Sequence, residues 1–129
     1  MSEPLNATGI FPGITASDLP KSIEFYVGGL GFEIIDKVEA EGVVRFVMLK
    51  AGNAMMGVGM DDFAKGRDRK KGIGTRIYIS TAQDIPALAD RVRAAGFTID
   101  GEVAPLSWGP MGFALLDPDG IQLTISNDS

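Results

Sequence analysis

Apolar residues recur along this chain in two similar blocks, and each block predicts one helix followed by strands. In the first block, Leu19, Ile23 and Tyr26 fall on one face of a helix. The corresponding apolar face in the second block consists of Ile85, Leu88, Ala89 and Val92. Each helix follows an Asp, has a Pro in its first turn and leads into a Gly-Phe pair. Two such blocks at a long spacing indicate a fold built from two copies of one unit.

Short segments of β character surround each predicted helix and supply the strands of each unit. In the first unit these segments lie at 10–15, 32–40, 42–50 and 53–60. In the second unit they lie at 75–81, 97–104, 111–117 and 120–126. The last two segments are joined by Asp117-Pro118-Asp119-Gly120, which has Pro and Gly where a β-turn favours them. Each unit is therefore predicted to be β-α-β-β-β.

The domain organisation follows from this repeat. One helix on a small curved sheet cannot close a core, so the two units are expected to pack against each other. We predict a single α+β domain over residues 1–129, in which two tandem β-α-β-β-β units with curved mixed sheets form a cup. The first unit spans 8–60, a linker loop spans 61–73 and the second unit spans 74–126. The linker is rich in Lys and Arg, and we favour a solvated connector over an anion-binding lid.

The amino-acid composition excludes several kinds of chemistry and some classes of partner. The chain has no Cys and no His, which removes thiol chemistry, disulfides and the commonest general base and transition-metal ligand. A formal net charge of -5 argues against nucleic acid and anionic membranes as partners. The sequence has neither an apolar run long enough to span a membrane nor a secretory signal, so a cytoplasmic location is expected.

Several short motifs occur in a characteristic order. Those of the first unit are Ser17-Asp18-Leu19, Phe25-Tyr26 and Leu30-Gly31-Phe32. Those of the second are Ala94-Ala95-Gly96, Trp108-Gly109 and Asp117-Pro118-Asp119-Gly120. Together they resemble the vicinal oxygen chelate superfamily of glyoxalases, extradiol dioxygenases and bleomycin-resistance proteins, over residues 8–126. The resemblance implies the fold predicted above and a homodimer, because a partner chain often completes the cup in that family.

The resemblance also implies four positions at which metal-using members carry their ligands. In this sequence these positions are Phe11, Met56, Arg76 and Thr124. Phe has no donor atom, Arg is a cation at any working pH, and the Met thioether is soft and neutral. We therefore expect no metal at these positions and no cofactor. The metal-assisted reactions that are usual in the family are not expected either.

The alternation of side chains along the strands predicts what lines the cup. We expect apolar and aromatic side chains from the first unit, and polar ones around a guanidinium from the second. The predicted ligand-binding residues are Phe11, Met56, Arg76, Tyr78, Trp108, Gln122 and Thr124. Thr15 and Val58 are expected to face inward with them. Arg76 would either bind a carboxylate or phosphate-like group or pair with an internal carboxylate. Trp108 would either stack on a ligand or plug the end of the barrel.

Three functional hypotheses fit this pattern. The first is metal-independent binding of an unknown small molecule, partly apolar and possibly anionic, in the manner of bleomycin-resistance proteins. The second is an enzyme of glyoxalase or dioxygenase type that uses no metal, or a metal held elsewhere, with Tyr78 and Glu102 as acid/base groups. The third is an interaction module whose cup is filled by side chains. No catalytic residues are assigned.

Overall fold

Two four-stranded mixed sheets form the fold in a computed structural model that describes residues 4–62, 71 and 74–127. The first unit consists of β1 (Gly13–Ala16), α1 (Leu19–Ile23), a π-helical continuation of α1 (Glu24–Gly29), β2 (Glu33–Ala40), β3 (Val43–Ala51) and β4 (Ala54–Met60). The second consists of β5 (Arg76–Thr81), α2 (Ile85–Ala94), β6 (Asp100–Pro105), β7 (Met111–Leu116) and β8 (Gln122–Asn127). The predicted α+β class and the repeat of β-α-β-β-β units are confirmed.

The two sheets have the same topology. The strand order is β1-β4-β3-β2 in the first and β5-β8-β7-β6 in the second. In each sheet the strand before the helix pairs in parallel with the last strand of its unit, and the other pairs are antiparallel. A parallel neighbour needs a long crossover connection, and the helix with the two following strands provides it.

Two strands start three residues later than predicted. β1 begins at Gly13 instead of residue 10, because Pro12 has no N–H to donate to a ladder. The carbonyl of Pro12 still accepts a hydrogen bond from the Gly57 N–H at 2.9 Å. β6 begins at Asp100 instead of residue 97, because the Phe97 N–H donates to a carbonyl at the end of α2 rather than to a strand.

Both helices begin at the predicted Asp caps. The side chains of Asp18 and Asp84 accept hydrogen bonds from backbone N–H groups one turn on, each at 3.2 Å. The first helix differs in its π-helical continuation. The spacing from Asp18 to Gly31 is one residue longer than the spacing from Asp84 to Gly96. A π-helical segment is the usual way to take an extra residue into a helix.

A shared hydrophobic core joins the two units in the described part of the chain. It combines the helix-facing side chains of both sheets with one face of each helix. Phe25 of the first helix meets Phe97 of the second unit edge to face, with ring centroids 5.1 Å apart. Gly29 lies so close that an added Cβ would be 2.8 Å from the Phe97 ring. Because each sheet packs one face into this core, its other face points away from it; we call these the open faces.

A buried hydrogen bond connects the first helix to the β7–β8 turn. The Tyr26 hydroxyl donates to Asp117 Oδ2 at 2.8 Å, while Asp117 Oδ1 accepts from the Asp119 and Ile121 N–H groups, each at 2.9 Å. The Asp119 carboxylate in turn accepts from the backbone N–H and the hydroxyl of Ser17. Burial raises the pKa of Asp117. Burial and the neighbouring Asp117 carboxylate raise the pKa of Tyr26. The turn of the second unit is thereby seated on the first.

The predicted linker lies mostly outside the described residues, and the lid interpretation falls there too. At its ends, Lys71 Nζ lies 2.8 Å from Asp61 Oδ2, and both side chains are buried. Within the described residues, no helix is long and apolar enough to cross a membrane.

We expect Tyr26→Phe to lower the free energy of unfolding by about 1.5–3 kcal/mol, because a buried carboxylate loses its hydroxyl donor. The measurement is urea unfolding at neutral pH. Tyr78→Phe is the matched control, since Tyr78 is 61% exposed and should change the stability by less than about 0.5 kcal/mol. Equal effects of the two substitutions would contradict the structural role of the Tyr26 hydroxyl.

The raised pKa of Asp117 predicts a pH dependence. The native state holds the Asp117 proton to higher pH than the unfolded chain, so Asp117 lowers stability as the pH rises from 3.8 through its raised pKa. In the Asp117→Asn variant the side chain at this position cannot titrate, so its stability lacks this contribution to the pH dependence. The unfolding free energy of the wild type, measured relative to that of the variant, should therefore fall across this pH range. Parallel pH profiles would contradict the prediction.

Candidate functional site

Four of the predicted residues lie side by side on the open face of the second sheet. In the parallel pairing of β5 with β8, Arg76 is opposite Gln122 and Tyr78 is opposite Thr124. Directly paired residues share a face, and the alternate residues of both strands belong to the core or pack against it. Thr124 is buried, Gln122 is half-buried, and Arg76 and Tyr78 are exposed.

Trp108 joins this group from the loop between β6 and β7. Its ring lies 5.9 Å from that of Tyr78, with an angle of 74° between the ring planes. A tight turn carries it, in which the Gly109 N–H donates to the Leu106 carbonyl and the Leu106 N–H donates to the Pro110 carbonyl. Trp108 is 56% exposed. We call Arg76, Tyr78, Trp108, Gln122 and Thr124 the open-face cluster.

The guanidinium of Arg76 is the only charged group of this cluster. It makes no ion pair and no hydrogen bond with any residue that the structure describes. The alternative of an internal ion pair is therefore not seen in the described part of the chain. A planar guanidinium can hold a carboxylate or phosphate through two parallel hydrogen bonds. The neighbouring rings of Tyr78 and Trp108 can contact an apolar or aromatic body attached to such an anion.

The open face of the first sheet has an apolar patch, as expected, but other residues form it, and the charged Asp36 and Lys50 pair with Met48 and Met55 on the same face. Phe46 and Met48 of β3 and Met55 of β4 are half-buried there. The Phe46 ring covers the backbone of β4, and a Cβ added to Gly57 would lie 2.6 Å from it. The near-continuous apolar run of β3 conceals which residues alternate to this side, so the sequence signal for Phe46 is weak.

The prediction that Met56 and Val58 face the cup is wrong. Both are buried in the shared core, Met56 being 2% exposed, and they pair with the buried Leu49 and Val47. Met56 lies four residues after the turn glycine Gly52, and Thr124 lies four residues after the turn glycine Gly120. The β3–β4 turn is shorter than the β7–β8 turn, so the same count ends on opposite faces. Phe11 lies before β1, belongs to no strand and is 53% exposed.

The side chains at the implied metal positions do not fit a divalent cation. In sheet register the counterpart of Thr124 is Gly57 rather than Met56, and Gly57 has no side chain. Phe11 has no donor atom and Arg76 is cationic. Across the described residues, no three or more His, Cys, Asp or Glu side chains cluster in a way that could hold a metal ion. Glu102, named above as a possible acid/base group, is exposed in β6.

Comparison with known proteins gives a family and a set of similar folds. A family model described as the Glyoxalase/Bleomycin resistance protein/Dioxygenase superfamily matches residues 8–125. Comparison with curated proteins gives no match. A solved member of this superfamily from Sphaerobacter thermophilus is 24% identical, has a TM-score of 0.74, and the alignment covers 95% of this chain and 98% of that one.

Two further solved structures share the fold at lower identity. TioX from Micromonospora sp. ML1 is 17% identical with a TM-score of 0.74, and the alignment covers 92% of this chain and 98% of that one. Lactoylglutathione lyase from Agrobacterium tumefaciens is 17% identical with a TM-score of 0.67, with 95% of each chain covered. Similarity at these identities establishes the fold and leaves the activity open.

The corrected orientation of β4 can be tested with two adjacent methionines. Met56→Ala should lower the free energy of unfolding by about 2–4 kcal/mol, because it leaves a cavity in the core. Met55→Ala should cost less than about 1 kcal/mol, since Met55 is half-buried on the open face. Urea unfolding of both variants is the measurement. A larger loss for Met55→Ala would contradict the assigned orientation.

Proposed function

Because this chain belongs to the glyoxalase/bleomycin resistance protein/dioxygenase superfamily, we propose that it binds a small molecule, without a metal, at the open faces of its sheets. The proposed ligand has an apolar or aromatic body and an anionic group. The observation that carries this proposal is the open-face cluster, in which a guanidinium without a partner among the described residues lies on the same face as two adjoining aromatic rings. Sequestration or transport would need no further chemistry.

The open-face cluster suits such a ligand in its distribution of polarity. Arg76 supplies charge and two parallel hydrogen bonds, and Gln122 beside it supplies an amide. Tyr78 and Trp108 supply an aromatic wall whose two planes are inclined to each other. Apolar walls with a few placed polar groups are typical of small-molecule sites. The sequence has no histidine, and the carboxylates of the described residues form no cluster that could hold a metal ion, which favours binding over metal-assisted catalysis.

We further propose that the site is completed by a second copy of this chain. The open faces of the two sheets point away from the shared core, so one chain alone leaves Tyr78 and Trp108 more than half exposed. The edge strand β2 is exposed along its whole length and carries Ile34, Ile35 and Val38. Exposed apolar strand edges are typical of surfaces that a partner covers. The first sheet of one protomer would then face the second sheet of its partner, giving two equivalent sites in a symmetric homodimer.

Native mass spectrometry of gently purified protein, with elemental analysis, tests this proposal. We expect a dimer without stoichiometric metal that carries a small organic anion. In Arg76→Gln the affinity for that molecule should fall at least about tenfold, because charge and bidentate geometry are lost. Arg93→Gln is the matched control, since Arg93 is exposed on α2 and contacts Asp90 at 3.5 Å. If no molecule co-purifies, titration with benzoate and phenyl phosphate, followed by the fluorescence of the single Trp, replaces it.

Three outcomes would contradict the proposal. Stoichiometric metal would return the protein to the metalloenzymes of its superfamily. A monomer that binds the ligand with full affinity would remove the role of the second copy. A dimer whose open faces bind none of these anions would favour the interaction module with a filled cup.

A further inference from the structure

A second cleft lies where the two units meet, apart from Arg76, Tyr78 and Trp108. Its volume is about 690 Å³, and it opens between the β3–β4 turn of the first unit and the β5–α2 junction of the second. Asn53 of the turn, Gln83 of the junction and Arg91 of α2 line it. An adjoining cavity of about 60 Å³ continues into the apolar interior.

The equivalent place in the other half of the molecule is filled. There the β7–β8 turn rests on the β1–α1 junction, and its Asp117 and Asp119 carboxylates accept hydrogen bonds from Tyr26 and Ser17. On the side of the cleft, the corresponding turn is the β3–β4 turn of the first unit. It comprises only residues 52–53, whereas the β7–β8 turn comprises residues 117–121. The shorter turn has no carboxylate. The space that an acidic turn occupies on one side is therefore open on the other.

Arg91 supplies a cation at the cleft between the two units. Its guanidinium lies against the backbone of Gly31, where an added Cβ would be 3.0 Å from Arg91 Cζ. Gly31 also has a φ of +85°, which favours glycine at this position. Arg91 makes no ion pair with the part of the chain that the structure describes, whereas Arg93 on the same helix contacts Asp90. A guanidinium without a counter-ion thus borders the cleft that the short turn leaves.

We propose that this cleft binds a small organic carboxylate, with its anionic group at Arg91 and its apolar body toward Leu30, Ile79 and Leu88. These three side chains line both the cleft and the adjoining cavity. The ligand carboxylate would take the part that an aspartate of the β7–β8 turn takes in the other half. A charge-assisted, bidentate contact to guanidinium gives the geometry. The proposal concerns a different site from the open-face cluster and does not rest on the proposed function.

The test is a ¹H–¹⁵N NMR titration of the full chain with phenylacetate. Backbone amides of residues 51–54 and 80–83 should shift in a saturable way. The dissociation constant read from the amides that line the cleft should rise at least about tenfold in Arg91→Gln and stay unchanged in Arg93→Gln. Asn53→Asp places a carboxylate on the short turn, where it competes for Arg91, and should weaken binding several-fold. If Arg91→Gln fails to fold, Arg91→Lys replaces it. Lysine keeps the charge but cannot make the bidentate contact, so the dissociation constant should again rise.

Two results would overturn the proposal. Saturable shifts confined to residues 76, 78 and 122, with none at 51–54 and 80–83, would place the anion on the open face alone. That result would leave the proposed function intact. The absence of saturable shifts around the cleft would also overturn it, whatever the open face binds.

Discussion

The hydrogen bond from Tyr26 to Asp117 is the contact on which the arrangement of the two units depends. Each unit is a helix on a four-stranded sheet, which cannot enclose a core alone. A buried carboxylate is costly unless it is hydrogen-bonded, and Asp117 is tolerated because the Tyr26 hydroxyl and two backbone N–H groups donate to it. This pair seats the second unit's turn on the first helix, while the shared core keeps the helices inside and leaves the outer sheet faces open.

Two small departures from internal symmetry give the two halves different roles. The first helix holds one extra residue in its π-helical segment, and the β7–β8 turn is longer than the β3–β4 turn. On one side of the molecule the long acidic turn meets Tyr26 and forms the buried contact. On the other side the short turn faces Arg91, and the same kind of contact is absent from the described residues. Equivalent places in the two units thus hold a buried hydrogen bond on one side and an open cleft on the other.

The sequence predicts the elements of this fold well because their signals are local. Asp caps, Gly-Phe pairs and the Asp-Pro-Asp-Gly turn act within a few residues. The strict alternation of β8 likewise fixes its faces, so the neighbours Gln122 and Thr124 are placed correctly. In β3 almost every residue is apolar, so the sequence does not show which of its residues face the core. Which residues of β4 face the core then depends on the length of the β3–β4 turn, and the predicted face of Met56 is wrong for this reason. The bond from Tyr26 to Asp117 spans 91 residues and has no local signal.

The division between core and open faces also explains why membership of the superfamily leaves the ligand open. The core, the caps and the acidic turn determine the fold, and none of the open-face cluster except the buried Thr124 is needed to fill the interior. Side chains on the open faces can therefore differ between relatives at little cost in stability, and the fold persists while sequence identity falls. In this chain those positions carry a guanidinium, two aromatic rings and an amide. Recognition by charge, hydrogen bonding and aromatic contact is the chemistry that such a set supports.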